Sequence, residues 1–175
     1  TPEPGPNEVR VKLKAAALGL KLDGLGRDGF VIETRPPHLI LAGGRPRGTL
    51  YAVFTFLEDQ VGCRWYSSKV SRIPSQPDLA IKPIHDRQVP ALEYREPFAF
   101  DSYDADWAVR NKSNGHATRL DAKRGGKIIY KGFVHTFFPL VPPEKYFASH
   151  PEYFSEIKGK RVHEHAQLCL ANAEV

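Results

Sequence analysis

The chain has 175 residues, of which 41% are hydrophobic, and it carries a formal net charge of +5. This length supports one hydrophobic core or a little more, and no apolar run is long enough to cross a bilayer. The basic residues are scattered among 20 acidic ones without a zinc-finger, RNP-type or helix-turn-helix pattern. We therefore expect a solvated basic surface, which would also suit an acidic glycan, and no membrane or nucleic-acid partner.

The first predicted elements form a small antiparallel sheet. Thr1–Asn7 is rich in proline and is expected to be extended, and Glu8–Lys14 alternates apolar and polar residues as a half-buried strand does. A glycine-containing loop follows over Ala15–Leu25. Phe30–Thr34 and His38–Ala42 then predict the two strands of a hairpin, joined by a tight Arg-Pro-Pro connection.

The segment AGGRPRGTLYAVFTFLEDQVGCRWY, from Ala42 to Tyr66, predicts a turn, an amphipathic helix and a returning strand. Two glycines open it, and Pro46 suits the first helical turn. Gly62 stands where a left-handed C-terminal cap belongs, and a short strand begins at Cys63. The helix is expected to pack on the sheet through an apolar stripe at helical spacing. The stripe consists of Leu50, Val53, Phe54, Leu57 and Val61.

After the helix, Ser67–Pro90 is predicted to be a linker rich in serine and proline, with one strand, Leu79–Ile84, running back along the first domain. Beyond Pro90, short strands and helices alternate at the spacing of the first units of a (β/α)8 barrel. The predicted strands are Ala91–Arg95, Gly132–Phe138 and Gln167–Leu170, the predicted helices are Tyr103–Asn111 and Pro142–His150, and a hairpin joins Tyr153–Ile157 to Lys160–Val162. A whole barrel takes about 250 residues, so we expect a fragment of a longer polypeptide.

RGTLYAVFTFLEDQVGCRWY closely resembles the RGxxYAvyxFLExxxGvRWyxP segment of the small domain that precedes the catalytic barrel in certain glycoside hydrolases. These are the family 67 α-glucuronidases, the family 20 β-hexosaminidases and a related group of bacterial proteins, the domain-of-unknown-function 4838 family, which the chain resembles most. The resemblance extends over DGFVIETRPPHLILAGG and GGKIIYKGFVHTFFPLVPPEKYFASHPEYFSEIKGKRV, and so covers most of the chain. An earlier strand and helix of the family's domain have no counterpart here.

The resemblance implies an α/β (α+β) fold in three parts. Residues 1–66 would form a small N-terminal antiparallel sheet with one packed helix, like the second domain of β-hexosaminidases. Residues 67–90 would form a linker with a possible returning strand. Residues 91–175 would form the truncated first units of a (β/α)8 TIM barrel.

In such barrels the active site lies at the C-terminal ends of the strands, which points to Arg95, Phe98 and Asp101 after the first predicted strand. Arg95 resembles the arginine that binds sugar hydroxyls in family 20 enzymes, and its planar guanidinium suits paired oxygens. A structural ion pair of Arg95 with Glu93 or Glu96 is the alternative. The family 20 pattern has glycine directly after this arginine, where the chain has Glu96.

Further candidates for sugar binding follow Arg95 in the chain. His135, in GFVHTFF, is expected to hydrogen-bond a glycan hydroxyl or help to position an acid, and the alternative is a histidine satisfied by backbone. Asn111 and Asn114 have amides of the kind that orient sugars, and loop capping explains them equally well. A dense group of aromatic residues offers a stacking platform, although core packing is the commoner role. The group comprises Phe98, Phe100, Tyr103 and Trp107.

No metal or cofactor is expected. His163-Glu164-His165 permits two ligands on one face of a strand, but no third ligand stands at a fitting distance in the sequence, so we expect a solvated pair. Cys63 and Cys169 lack C-x-x-C spacing and are expected to be small core residues. No phosphate-binding or dinucleotide-binding glycine motif occurs in the sequence.

Glycoside hydrolysis uses two carboxyl groups, and in the enzymes that the chain resembles they lie on later barrel strands. None of the carboxylates near the first predicted strand matches a catalytic motif. The resemblance thus implies the accessory domain and barrel start of a glycoside hydrolase that depends on the rest of its polypeptide for catalysis. A non-enzymatic glycan-binding or interaction module is the alternative. The expected partner is an oligo- or polysaccharide, and glycan breakdown outside the cytoplasm favours a periplasmic or secreted protein.

Overall fold

The computed structural model describes residues 19–75, 77–132 and 134–175. They fall into two compact units, of which the first ends at Ile129 and the second comprises Tyr130–Val175. The extended segment predicted for Thr1–Asn7 and the strand predicted for Glu8–Lys14 lie outside the described residues. The domain boundaries predicted at residues 66 and 90 stay predictions.

Short strands and few helices give a mixed α/β structure, as predicted. The strands are β1 (Phe30–Arg35), β2 (His38–Gly43), β3 (Arg64–Trp65), β4 (Ser71–Arg72), β5 (His85–Gln88), β6 (Glu156–Ile157) and β7 (Lys160–Arg161). The helices are α1 (Gly48–Phe56), α2 (Ala105–Arg110), α3 (Phe137–Leu140) and α4 (Pro143–Tyr146), with a π-helical turn at Leu57–Val61 and 3-10 turns at Phe100–Tyr103, Ala122–Arg124 and Pro151–Tyr153. Among the described residues, no helix has the length and apolar character that a bilayer crossing requires.

The main sheet of the first unit is antiparallel, with the strand order β2-β1-β5. The predicted hairpin is confirmed, because β1 pairs with β2 from Phe30 opposite Gly43 to Arg35 opposite His38. A returning strand forms and pairs with β1, but the predicted bounds Leu79–Ile84 are wrong, because β5 begins only at His85. Its sequence, HDRQ, is polar and mostly exposed. An edge strand pairs through its backbone, so it needs no apolar alternation that a sequence pattern would reveal.

Helix α1 packs on β1 and β2, as predicted, but through a different face from the predicted stripe. The buried helix residues are Tyr51, Ala52, Thr55 and Phe56, with Gly48 at the start. Leu50, Phe54, Leu57 and Val61 are only partly buried and flank the core. A Cβ on Gly43 would lie 2.3 Å from the Gly48 carbonyl carbon, so the helix begins in direct contact with the end of β2. This close approach favours small and flat side chains on the contacting face.

The end of the helical segment agrees with the predicted cap. Gly62 has a left-handed φ of 82°, and the Cys63 N–H donates to the Leu57 carbonyl at 2.9 Å. Cys63 is buried, as expected, whereas Cys169 is only half-buried. The strand after Gly62 forms, but β3 pairs with β4 in a ladder of its own and does not join the main sheet.

The barrel strands and helices predicted after Pro90 form only in part. The strand predicted at Ala91–Arg95 is wrong, since no ladder includes these residues. The helix predicted at Tyr103–Asn111 is confirmed in shorter form as α2, whose N-cap residue Asp104 accepts a hydrogen bond from the Trp107 N–H at 2.8 Å. Every strand pair within the described residues is antiparallel, and no TIM barrel is formed by them.

The second unit is built around Phe154, which is fully buried and contacts Phe138 and Phe147 at ring-centroid distances of 6.0 and 5.2 Å. The predicted hairpin is confirmed as β6 and β7. The strand predicted at Gly132–Phe138 is wrong, because its last residues belong to α3. The helix predicted at Pro142–His150 is reduced to α4, and the strand predicted at Gln167–Leu170 to one bridge between Leu168 and Phe154.

Candidate functional site

The carboxylate of Asp28 is the centre of a buried polar network in the first unit. It accepts hydrogen bonds from Arg47 Nε at 2.7 Å, from Arg95 Nη2 at 2.5 Å and from Asn114 Nδ2 at 2.8 Å. Asp28, Arg47 and Asn114 are all buried. A buried carboxylate is stable in this setting because two cations and an amide replace its water.

Four separate segments bring these side chains together. Asp28 lies in the loop before β1, Arg47 directly precedes α1, Arg95 follows the proline-rich linker and Asn114 follows α2. The ion pair between Asp28 and Arg95 spans 67 positions of the chain. The network therefore ties the sheet and the first helix to the segment after Pro90.

The donors of the Arg95 guanidinium are largely used in hydrogen bonds to other residues of the chain. Besides Asp28, it donates to the backbone carbonyls of Lys112 at 2.9 Å and Leu92 at 2.6 Å. It also lies over the ring of Tyr51, 5.5 Å from the centroid, and the burial of this phenol raises the pKa of Tyr51. Arg95 thus forms a structural ion pair, as the alternative role supposed, but its partner is Asp28 and, among the described residues, neither Glu93 nor Glu96. The predicted contact with sugar stays a prediction.

Exposed aromatic side chains surround the 3-10 turn before α2. Phe100 is 92% exposed and Phe98 is 62% exposed, and both rings meet Tyr103 edge-on at centroid distances of 6.3 and 5.9 Å. Phe98 has a φ of 49°, an uncommon left-handed conformation for a bulky residue. We call Phe98, Phe100 and Tyr103 the aromatic platform.

Asp101 lies within the turn that carries this platform. It accepts a hydrogen bond from the Ser68 N–H at 2.7 Å, and this bond lowers the pKa of the Asp101 carboxyl. Trp107, the fourth aromatic residue of the predicted group, is half-buried and donates from Nε1 to the Trp65 carbonyl at 3.1 Å. Asn111 donates to the Trp107 carbonyl at 3.0 Å, which is the capping role given as its alternative.

His135 lines a cleft of about 340 Å³ in the second unit. Its walls are formed by Phe137, Phe138, Ala166, His165 and Gln167. Both His135 and His165 have left-handed backbone angles, with φ of 54° and 50°. The structure therefore brings His135 together with His165 and Gln167, a combination that the sequence analysis missed because thirty residues separate them.

The two histidines of His163-Glu164-His165 do not act as a pair. His163 packs against Phe147 at a centroid distance of 4.3 Å, whereas His165 lines the cleft. The expectation that residues two apart face the same way holds only in a strand, and β7 ends at Arg161. In the described part of the chain, no group of three or more histidine, cysteine, aspartate or glutamate residues is arranged to hold a metal ion.

Asp28 and Arg47 are central to the network, and the sequence analysis did not single them out. Asp28 lies between the predicted glycine-containing loop and the first strand of the hairpin, and Arg47 lies in the segment that leads into the helix. The only signal in the sequence was the pair of arginines around Pro46, which a turn into a helix does not require.

Comparison with known families identifies the larger part of the chain. A domain of unknown function, DUF4838, matches residues 65–175. The match begins at Trp65 and includes α2, the aromatic platform and all of the second unit. No curated protein and no solved structure matches the chain. The chain therefore belongs to the DUF4838 family.

Proposed function

We propose that this chain binds carbohydrate as the leading part of a glycoside hydrolase-like protein, with the catalytic acids supplied by residues outside this sequence. The observation that carries the proposal is the aromatic platform, where Phe98 and Phe100 are exposed and both contact Tyr103 edge-on. Large aromatic side chains are usually buried, so two exposed ones on a single turn suggest a binding surface.

The chemistry of a sugar ring fits this surface. The axial C–H groups of a pyranose form an apolar face that packs on an aromatic ring, while its hydroxyls point outward to polar groups. Asp101 supplies an ionised acceptor on the same turn, because its hydrogen bond from Ser68 lowers the pKa of the carboxyl. The platform thus offers both types of contact that a saccharide requires.

The other carboxylates around the platform already have structural partners. Asp104 caps α2, Asp106 pairs with Arg124 at 2.7 Å, and Glu96 accepts from the Ala117 N–H at 2.5 Å. Acid/base hydrolysis needs one carboxyl group free to donate a proton and a second to act as base or nucleophile. Because these carboxylates already have structural partners, the platform is better suited to binding a saccharide than to hydrolysing one.

We further propose that the residues beyond Pro90 form barrel units when joined to the rest of a longer polypeptide. Each of the three segments predicted as barrel strands carries an exposed apolar side chain, and that of Leu92 is 68% exposed. The other two are Val134 and Leu170. Covering such side chains by further strands and helices would bury apolar area. A structure of a longer polypeptide tests this, and Ala91–Arg95 still unpaired there would contradict it.

Affinity electrophoresis of the chain in gels containing different polysaccharides tests carbohydrate binding. Phe100→Ala removes most of the exposed platform, and burying a phenylalanine side chain contributes about 1.5–3 kcal/mol. We therefore expect at least a tenfold weaker affinity for any polysaccharide that retards the native chain.

The control is Ile73→Ala, a similarly exposed apolar residue of the same unit outside the platform. It should leave the retardation unchanged. If no polysaccharide retards the native chain, or if Phe100→Ala and Ile73→Ala behave alike, the platform does not bind carbohydrate.

A further inference from the structure

A second cleft, of about 290 Å³, lies beside the Asp28 network in the first unit. One wall is the loop from Leu25 to Gly29, and the other is the segment from Val89 to Glu93. Arg47 and Arg95 complete the lining between them. The cleft is distinct from the aromatic platform, which shares none of its residues.

The charged residues that line this cleft have an excess of positive charge. Arg27, Arg47 and Arg95 are cations, and Asp28 and Glu93 are the anions that accompany them. Asp28 is shared by Arg47 and Arg95, so it compensates only one of the two guanidinium charges beside it. Arg27 and Glu93 are exposed at the rim. A buried cation without a full counter-charge is costly in a protein, and an external anion lowers that cost.

The hydrogen bonds of Arg47 leave part of its guanidinium unused. Its side chain is 1% exposed, and its hydrogen bonds to described residues run from Nε to Asp28 and from Nη1 to the carbonyls of Gly125 and Gly126. The two Nη1 distances, 3.4 and 3.5 Å, are at the outer limit for such bonds. Nη2 has no acceptor within residues 19–75, 77–132 and 134–175.

The start of α1 adds to the positive potential of the cleft. Arg47 is the N-cap residue of this nine-residue helix, which has no acidic residue in its first turn and no side-chain cap. The N-terminal end of a helix carries a partial positive charge. Here the N–H groups of Arg47 and Gly48 donate to the Arg27 carbonyl at 3.3 and 3.2 Å, so the helix end contributes through its dipole and not through free donors. The helix end and the arginines therefore favour the same kind of ligand.

We infer that this cleft binds a small oxyanion group, such as a sulfate, a phosphate or the carboxylate of an acidic sugar. Arg27 at the rim and the Arg47 Nη2, which has no acceptor among the described residues, supply the donors, while Arg95 adds charge without releasing Asp28. A planar guanidinium matches the paired oxygens of such groups. The site is independent of the proposed carbohydrate-binding platform, and either one stands if the other fails.

Isothermal titration calorimetry at constant ionic strength tests the inference with three probes: sodium sulfate, sodium glucuronate and glucose. Sulfate and glucuronate are expected to bind and glucose is not, since it lacks the anionic group. The tighter of the two anions identifies whether the source is a free oxyanion or a sugar acid. Raising the sodium chloride concentration should weaken binding, because the attraction is electrostatic.

Two rim substitutions change the charge in opposite directions without touching the buried network. Arg27→Gln should abolish detectable binding, and Glu93→Gln should strengthen it by about threefold or more, as expected for removing one nearby negative charge. Arg119→Gln, at an exposed arginine that does not line the cleft, is the matched control and should leave the affinity unchanged. Absence of anion binding, or equal binding by Arg27→Gln and Arg119→Gln, would overturn the inference.

Discussion

Arg95 and Asn114 are joined by reciprocal hydrogen bonds. The Arg95 N–H donates to the Asn114 side-chain oxygen at 2.8 Å, and the Asn114 N–H donates to the Arg95 carbonyl at 3.0 Å. Asn114 also donates from its amide to Asp28 and to the Glu93 carbonyl, both at 2.8 Å. One buried side chain thus provides the hydrogen bonds that a neighbouring strand would otherwise provide to this segment.

Asn114→Ala is expected to lower the free energy of unfolding by about 3–5 kcal/mol. The substitution leaves the Arg95 N–H without its partner and removes one of the three donors to a buried carboxylate, and each such loss costs about 1–3 kcal/mol. It also leaves the Glu93 carbonyl with only the 3.4 Å hydrogen bond from Arg95 Nη1. Urea denaturation followed by circular dichroism measures the change.

Asn111→Ala is the matched control for this prediction. Asn111 is exposed, and its amide donates to the Trp107 carbonyl at 3.0 Å at the end of α2. The loss there should be about 1 kcal/mol or less, because water replaces the amide. Similar destabilisation by both substitutions would show that the Asp28 network does not hold the segment.

The elements that the sequence predicted correctly depend on local interactions, whereas the Asp28 network joins segments that are far apart in the chain. The β1–β2 hairpin, the cap at Gly62 and the β6–β7 hairpin depend on turn residues and periodicity within a few positions, and all three are confirmed. Ala91–Arg95 has the composition of a strand, yet its backbone is bound by a side chain instead of a ladder. Local composition does not show whether a backbone segment will hydrogen-bond to a neighbouring strand or to a side chain.

The candidate site was harder to predict than the fold, for the same reason. Arg95 was found through the family resemblance, but its ionic partner, Asp28, is 67 positions away and lies in a turn that any short polar residue suits. His135 was found at a supposed strand end, whereas its cleft partner His165 follows a hairpin. Contacts between distant loops depend on how the whole chain packs, and the periodicity of a single segment gives no information about that packing.

Gly43→Ala is expected to destabilise the protein by about 3 kcal/mol, because the new Cβ would lie 2.3 Å from the Gly48 carbonyl carbon and 2.6 Å from the Thr49 nitrogen. Both atoms belong to the backbone at the start of α1, so the helix must move away from the sheet. Thermal and urea denaturation measure the loss of stability.

Gly126→Ala is the control that separates steric overlap with the backbone from backbone strain, since that position has a φ of +67° but no atom within 4 Å of the new Cβ. Its cost should be only about 1–2 kcal/mol.

Asp101→Asn is expected to lower the melting temperature at pH 6 and to have little effect below pH 3. The hydrogen bonds from Ser68 lower the pKa of the folded-state Asp101 carboxyl below its ordinary value. A group with a lowered folded-state pKa stabilises the protein above its unfolded pKa of about 3.9, and this stabilisation is lost as the pH falls through the folded-state pKa. Asparagine keeps an acceptor for Ser68 but has no charge, so it removes only the pH-dependent part.

The measurement is the difference in melting temperature between the native chain and Asp101→Asn at several pH values from 2.5 to about 7. Asp59→Asn, at another exposed carboxylate, gives the effect of losing one negative charge elsewhere on the same unit. The Asp101 difference should shrink on acidification, because protonation makes the native carboxyl neutral like the amide. A difference that stays constant over this range, or that grows as the pH falls, would mean that the Ser68 contact does not favour the ionised carboxylate, and Asp101 would lose its role as the charged acceptor of the platform.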